Sequence, residues 1–272
     1  MKNSVFFFFF LILINITTFS NEKIASKDIN IVEIKGQYIN LNIIPYDGEN
    51  IILNQLSDKK KPIIKTNITK NILQYTLDNN KTSFFKTRTK FNLFIPKNTN
   101  LKYLITTINS SIFSNGVDGD FSIINSKGEI TIHNAQGNIN AVNTNRDIKL
   151  CNITGNISAR GNFSQIFTKN TKGILNVQTT NKKIKIKNAD TVGNISTSNA
   201  TILAEFKNIL PDSKIVTSNS NLTIKIPKNH DFNFSIFGDL IHLKGKFTQL
   251  KTNNFLTLGT SNGIIEIKEL KK

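Results

Sequence analysis

Few side chains of this sequence are of a type that performs chemistry, and their spacing matches no catalytic motif. The chain has 3 histidines (His133, His230 and His242) and a single cysteine, Cys151. No histidine shares a short motif with Cys, Asp or Glu at the spacing of metal ligands. Neither a G-x-S-x-G nor an H-E-x-x-H motif nor a phosphate-binding glycine loop occurs. The sequence therefore predicts no catalytic, cofactor-binding or metal-binding residue, and we interpret the cysteine as a small apolar filler.

The stretch from Gly119 to Gly193, which contains His133 and Cys151, repeats a strand-and-turn phrase about every nine residues. Each copy opens with a turn residue and continues with apolar residues two apart, as in Gly128-Glu-Ile-Thr-Ile-His-Asn. Apolar residues two apart lie on one face of a strand, and short strands with one apolar face must stack to bury it. The sequence thus predicts an all-β fold, a parallel β-solenoid (β-helix) of about nine-residue strand-turn repeats. Ile130, Ile148 and Ile184 should face its shared interior.

Two kinds of residue are expected to shape the repeat. Glycine adopts positive φ at little steric cost and suits the turns. The predicted turn glycines are Gly119, Gly128, Gly137, Gly155, Gly173, Gly193 and Gly263. Arg146 and Lys183 replace turn glycines, so their turns should differ in shape. Four asparagines, Asn125, Asn134, Asn143 and Asn152, recur at intervals of nine. With two strands per rung they predict a ladder of two stacks, 125 over 143 and 134 over 152, with amides hydrogen-bonded along each stack.

Carboxylates are sparse in the repeats, where Asp118, Asp120, Glu129 and Asp147 are the nearest to a cluster. A calcium-binding β-roll needs paired glycines and an aspartate in every turn, and this sequence has neither. A polysaccharide lyase or hydrolase on a β-helix needs clustered carboxylates, or calcium with a basic residue, in a groove. With roughly 18 residues per rung, 120 and 129 fall on opposite sheets. We interpret all four as solvated turn residues and keep a carbohydrate-active β-helix enzyme as the alternative function.

Residues 1–20 are predicted to be a signal peptide. Lys2 gives a positive start, Val5 to Ile14 is an unbroken apolar run, and Thr18-Phe19-Ser20 offers small residues for cleavage. The apolar run is shorter than the roughly 20 residues of a spanning helix. Retention as an uncleaved anchor, as in a sensory ectodomain, stays open. We expect a mature chain that begins near Asn21, keeps no stable membrane span, and resides in the periplasm, at the cell surface or outside the cell.

The chain is strongly basic, with 35 Lys and Arg against 18 Asp and Glu and a formal net charge of +17. Such a charge suits an anionic partner such as lipid A, teichoic acid, acidic polysaccharide or nucleic acid, but we favour the simpler interpretation that it is the composition an AT-rich gene encodes. Arginine, which makes bidentate contacts to phosphate and guanine, is scarce: Arg88, Arg146 and Arg160. No aromatic-basic interleaving of the kind that stacks bases is visible in the repeats. Nucleic acid is therefore disfavoured.

The flanks of the repeat read as β-strands without the nine-residue rule. Four segments are predicted: a signal peptide at 1–20, an N-terminal cap of antiparallel strands at 21–108, solenoid repeats at 109–227, and strands that close the coil at 228–272. Caps are expected because the terminal rungs of a solenoid expose unpaired backbone. Turn signals such as Tyr46-Asp-Gly-Glu separate the strands of the N-terminal segment.

The order of these segments resembles the bacterial "putative adhesin" family of exported β-strand-repeat proteins. The phrases that carry the resemblance are Phe91-Asn-Leu-Phe-Ile-Pro96-Lys, Leu101-Lys-Tyr-Leu-Ile-Thr-Thr-Ile-Asn-Ser, the Gly-Asp/Asn-Ile copies from Gly119, and Leu258-Gly-Thr-Ser-Asn-Gly263-Ile-Ile-Glu-Ile. Together they cover most of residues 28–268. The resemblance implies a right- or left-handed parallel β-solenoid, and the family is largely of unknown function.

These observations favour a non-catalytic, exported cell-envelope protein, an adhesin or a structural binding surface. The outward Asn, Thr, Lys and Ser side chains would supply its contacts. The expected partner is an anionic envelope polymer or another surface protein. The sequence leaves the ligand, the handedness and the oligomeric state open.

Overall fold

The computed structural model describes residues 22–56, 63–78, 88–238, 240–245, 247 and 250–270. The predicted signal peptide lies outside these ranges. The strands are β1 (Glu22–Ala25), β2 (Ile31–Gln37), β3 (Ile39–Tyr46), β4 (Asn50–Gln55), β5 (Ile63–Thr69), β6 (Ile72–Asp78), β7 (Thr89–Pro96), β8 (Leu101–Ile108), β9 (Ser111–Asn115), β10 (Gly119–Asn125), β11 (Ile130–Gln136), β12 (Ile139–Asn143), β13 (Ile148–Thr154), β14 (Ile157–Gly161), β15 (Ile166–Gln178), β16 (Ile184–Thr197), β17 (Ile202–Ile209), β18 (Lys214–Thr217), β19 (Leu222–Ile226), β20 (Asn233–Phe237), β21 (Leu240–Lys244), β22 (Phe255–Thr260) and β23 (Ile264–Glu269). The one helical element in these ranges is a 3₁₀ turn at Ser26–Asp28.

The strands form two faces, joined in one 23-stranded sheet because β15 and β16 run through both. Along the first face the order is β5, β6, β2, β8, β10, β12, β14, β15, β16, β18, β22, β20. Along the second face it is β1, β4, β7, β3, β9, β11, β13, β15, β16, β17, β19, β23, β21. One strand from each face makes a rung, and nearly all rungs pair in parallel. The predicted parallel solenoid is confirmed.

The core lies between the two faces and is built from stacked isoleucines. Ile130 pairs with Ile148, which pairs with Ile166, which pairs with Ile184. All four side chains are fully buried. Each contributes about 2 kcal/mol through the apolar surface it removes from water. Because the strand period is two, this column fixes which residues of every rung point outwards.

Antiparallel strands close the N-terminal end. Strand β4 pairs antiparallel with both β1 and β7, and β5 pairs antiparallel with β6. Phe91 and Leu93 are fully buried although β7 belongs to the outermost rung. The sequence predicts antiparallel strands throughout 21–108, whereas β2, β3, β7 and β8 pair in parallel within this segment and with the rungs beyond it. Alternation of apolar residues looks the same for both pairings, so it could not separate them.

The rungs at both ends are out of chain order. The rung of β2 and β3 lies between the rung of β6 and β7 and that of β8 and β9. At the other end, the rung of β22 and β23 lies between that of β18 and β19 and that of β20 and β21. The terminal rung of β20 and β21 is more exposed to solvent than the rung of β6 and β7 at the N-terminal end. Ile241 and Leu243 of β21 are 43% and 55% exposed.

None of the helical structure in the described ranges has the length and hydropathy needed to cross a membrane.

Candidate binding faces

The outward side chains of the first face line a shallow groove of about 420 Å³. Its outer column contains Asp120, Asn138 and Asn156, one rung apart. Asp120 Oδ1 accepts a hydrogen bond from the backbone N–H of Asn138 at 2.7 Å, and Asn138 Oδ1 accepts one from Asn156 at 3.0 Å. These oxygens therefore hold successive rungs together. The next column presents Ser122 in register with Asn140.

Lysines dominate the outward side of the second face from β13 to the C-terminal end. They are Lys149, Lys169, Lys172, Lys185, Lys187, Lys207, Lys225, Lys244 and Lys268. The carboxylates on the same strands are fewer: Asp190, Glu205, Glu266 and Glu269. The two faces of one coil thus differ in charge.

Four of these lysines form ion pairs, with three carboxylates between them. Lys149 pairs with Glu129, and Lys207 lies 3.8 Å from Asp190. Lys244 and Lys268 both contact the Glu266 carboxylate, at 2.7 and 2.6 Å. Their hydrogen bonds lower the pKa of that carboxyl, and the hydrogen bond to Glu129 raises the pKa of Lys149.

The other five lysines form no ion pair with a carboxylate in the part of the chain that the structure describes. We call Lys169, Lys172, Lys185, Lys187 and Lys225 the free lysine cluster. Lys169 pairs in register with Lys187, so the two ammonium groups extend from neighbouring strands. Three of the five, together with Leu203, Glu205 and Thr223, line a depression of about 110 Å³.

An aromatic ring lies among these cations. Phe167 is in register with Lys149 on one side and Lys185 on the other. The Lys185 ammonium lies 5.9 Å from the ring centroid, within the range of a cation–π contact. These residues are 18 apart in the chain, which is why no local interleaving of aromatic and basic residues was visible in the sequence.

Asn125 and Asn143 lie one above the other and are buried. Their amides do not bond to each other. Asn143 Nδ2 donates to the carbonyl oxygens of Gly128 and Arg146, both at 2.7 Å, and Asn125 Nδ2 donates to Gly128 O at 2.8 Å. These side chains therefore satisfy turn carbonyls inside the coil.

Asn134 and Asn152 form a hydrogen-bonded ladder on the surface. Asn152 Nδ2 donates to Asn134 Oδ1 at 2.7 Å, and the chain of bonds continues to Asn170 and Asn188 at 2.8 and 2.9 Å. All four residues have φ between 51° and 56°, the left-handed region that Asn tolerates better than most residues. The 18-residue spacing of 170 and 188 is visible in the sequence and could have extended the predicted stack.

The sequence analysis did not predict two further sets of stacked polar residues. Threonines continue the inner column beyond Asn143: Thr179, Thr197, Thr217 and Thr260 are buried and donate to turn carbonyls. A second outer ladder joins Asn181, Asn199, Asn219 and Asn262, with each bond 2.9 Å long. A change of rung length to 20 residues between 199 and 219 hid this ladder from a search at a fixed period.

The turn glycines lie where adjacent rungs approach each other closely. Gly119, Gly137, Gly155 and Gly173 have positive φ, and a Cβ on Gly128, Gly193 or Gly263 would come within 2.4 Å of a neighbouring rung. Gly137 shows both constraints, since its φ is +140° and a Cβ would lie 2.2 Å from the carbonyl oxygen of Gly119. Arg146 and Lys183 supply turn carbonyls that accept hydrogen bonds from Asn143 and Ile166.

The remaining reactive residues are dispersed. His133 is half-buried on β11 and pairs in register with Cys151. Burial raises the pKa of the Cys151 thiol, while Lys169 and Lys149 oppose that shift. His230 packs among phenylalanines, with its ring centroid 4.9 Å from that of Phe232. His242 is exposed on β21.

The acidic residues divide between the faces. Asp120 lies on the first face, while Glu129 and Asp147 precede β11 and β13, which pair with each other. Among the described residues, no group of three or more His, Cys, Asp or Glu side chains is placed to hold a metal ion.

No family model and no curated protein matches this chain. Among the solved structures that are similar to it are two bacterial proteins. One is a putative cell adhesion protein from Clostridium sporogenes, 11% identical, covering 89% of this chain and 93% of that one with a TM-score of 0.19. The other is a putative adhesin from Bacteroides fragilis, 14% identical, covering 91% and 95% with a TM-score of 0.32.

Proposed function

We propose that this chain is an exported, non-catalytic protein of the cell envelope whose two outward faces form an adhesive or structural binding surface. The observation that carries the proposal is the repetition of outward polar groups at the spacing of the rungs. Neighbouring strands lie about 4.8 Å apart, so each face offers similar donors and acceptors at regular intervals.

A surface of this kind binds through many weak contacts. Ser122 and Asn140 on the first face, and the lysines of the second face, are displayed one rung after another. A partner with its own repeat engages several rungs at once, and its affinity grows with their number. An anionic envelope polymer and another surface protein both meet this requirement.

The residues in the grooves support a non-catalytic role. One carboxylate, Asp120, lines the first-face groove, whereas glycoside hydrolysis uses two. Its Oδ1 already accepts the backbone N–H of Asn138. The raised pKa of Cys151 lowers the fraction of thiolate, the form that acts as a nucleophile.

Export is proposed from the N-terminal segment of the sequence, with its charged start and apolar run. Residence in the periplasm, at the cell surface or outside the cell follows from that proposal. The polar outward faces suit such a location because they need no partner to remain solvated.

Fractionation of the native cell with an antibody to this chain tests the proposal. We expect the protein in the envelope or medium, with a mature N-terminus near Asn21 by mass spectrometry, and retained on envelope material at moderate salt. Recovery in the cytosol with Met1 intact would refute export. Turnover of an acidic polysaccharide by the purified protein would instead establish the enzyme alternative.

A further inference from the structure

On the second face the lysines outnumber the carboxylates, and five of the lysines form no ion pair within the described part of the fold. The free lysine cluster spans β15, β16 and β19, on neighbouring rungs of one face. Lys169, Lys172, Lys187 and Lys225 are exposed and Lys185 is half-buried. Three of them, Lys185, Lys187 and Lys225, line the depression, where Glu205, in register with Lys225, is the single carboxylate. Like charges at this density repel one another, so an anionic ligand would relieve a cost that the isolated fold bears.

The arrangement of the cluster favours a linear ligand. Lys187 and Lys225 lie on strands separated by β17, so their Cα atoms are about 10 Å apart along the face. Lys169 adds a charge one rung further on, in register with Lys187. Lys169, Lys187 and Lys225 therefore follow the direction in which rungs stack, and a polymer running along that direction meets these three cations.

Apolar groups lie between the cations. Leu203 is in register with Lys185 and is half-buried on the floor of the depression. Phe167 occupies the equivalent place one rung before Lys185. A sugar ring presents an apolar face of C–H groups and polar substituents at its edge. Such a ring can pack on Leu203 or Phe167 while its carboxylate meets a lysine.

Nucleic acid fits this surface less well. Arg88, Arg146 and Arg160 lie outside the cluster, so bidentate readout of phosphate or guanine is not offered there. Among the described residues, Phe167 is the one aromatic residue in register with a lysine of the cluster, whereas single-stranded nucleic acid stacks successive bases on several rings.

We propose that the free lysine cluster of the second face binds a linear, carboxylate-bearing polysaccharide that runs along the stack of rungs. This proposal rests on the binding role proposed above and specifies its surface and ligand class.

The test compares two triple variants of equal charge. Lys185→Gln, Lys187→Gln and Lys225→Gln remove three cations of the cluster. Lys27→Gln, Lys127→Gln and Lys228→Gln remove three exposed lysines that lie between the strands, outside both faces. Both variants lower the net charge by the same amount. Circular dichroism and the thermal midpoint confirm that each is folded.

Binding is measured to polygalacturonate, to neutral dextran, and to single-stranded DNA of matched charge, at two salt concentrations. We expect the unmodified protein to bind polygalacturonate in a salt-dependent manner and not to bind dextran. The cluster variant should lose roughly tenfold or more in affinity, with a weaker salt dependence. The variant of the three lysines outside both faces should change by less than about threefold.

Equal losses in both variants would show that net charge acts without a defined surface, and would overturn the proposal. Tighter binding to DNA with the same dependence on the cluster would assign the surface to nucleic acid instead. If polygalacturonate fails while the protein is still retained on envelope material, the polysaccharide proposal falls and the general binding role stands.

Discussion

Two asparagines of the same repeat, Asn143 and Asn152, have different environments and different roles. The first is buried inside the coil, where its amide donates to two turn carbonyls at 2.7 Å. The second is exposed, has φ of +56°, and bonds to asparagines of neighbouring rungs. Both residues are asparagines of the same nine-residue repeat, so it is the backbone conformation at each position that determines whether the side chain is buried or exposed.

The difference arises from a break in strand alternation. In β10 the inward positions run without interruption to Asn125, and burial alternates throughout. In β11 the left-handed residue Asn134 shifts the parity, so that Ala135 turns inwards instead. The same shift places Asn152 outside and Ile153 inside on β13. One left-handed residue per rung therefore creates a corner with an exposed asparagine.

Replacing Asn143 with alanine should give the largest effect. Arg146 O would lose a buried donor and a small cavity would form, whereas Gly128 O keeps its bond from Asn125. We expect a loss of about 2 kcal/mol in the free energy of unfolding. Urea denaturation measures it. A loss below that of the Asn152→Ala variant would reverse the ranking of the two positions.

Replacing Asn152 with alanine should cost less, about 1 kcal/mol. Alanine is strained at positive φ, but the ladder bonds are exposed and water replaces them. The same urea titration, at equal protein concentration, gives the comparison with Asn143→Ala. An unchanged midpoint would mean that the corner tolerates alanine by adopting another backbone conformation.

Replacing Asn152 with glycine should have the smallest effect, within about 0.5 kcal/mol of the unmodified protein. Glycine accepts the left-handed conformation without strain, so this variant removes the ladder bonds alone. The difference between the glycine and alanine variants isolates the backbone contribution. Equal losses in the two would instead assign the stability of the corner to the side-chain ladder.

The sequence predicted the rungs well. The alternation of apolar residues along each strand and the nine-residue repeat together determine which side chains point into the core. Ile130, Ile148 and Ile184 follow directly from that pattern and are all fully buried. The corners were not predictable in this way. Asn134 has the same parity as Ile130 and Ile132, and only its left-handed backbone moves it outside.

The charged surface was hidden for a different reason. Lys169 and Lys187 are 18 residues apart in the sequence, and they can be recognised as neighbours only when the length of a rung is known. The lysines appeared in the sequence as a net charge without a location. Net charge is a property of composition, whereas a binding surface depends on register.

The inserted rung at the C-terminal end has a consequence for how the chain reaches its native state. Strands β20 and β21 precede β22 and β23 in the sequence, yet they pair with the sheet through β22 and β23. Closing this arrangement joins residues 43 apart, as between Asn221 and Ile264, and such long-range closure is slow. A simple repeat array can extend one unit at a time. Here the last two rungs must assemble as a single cooperative step, and a chain cut before β22 would leave β20 and β21 without a template.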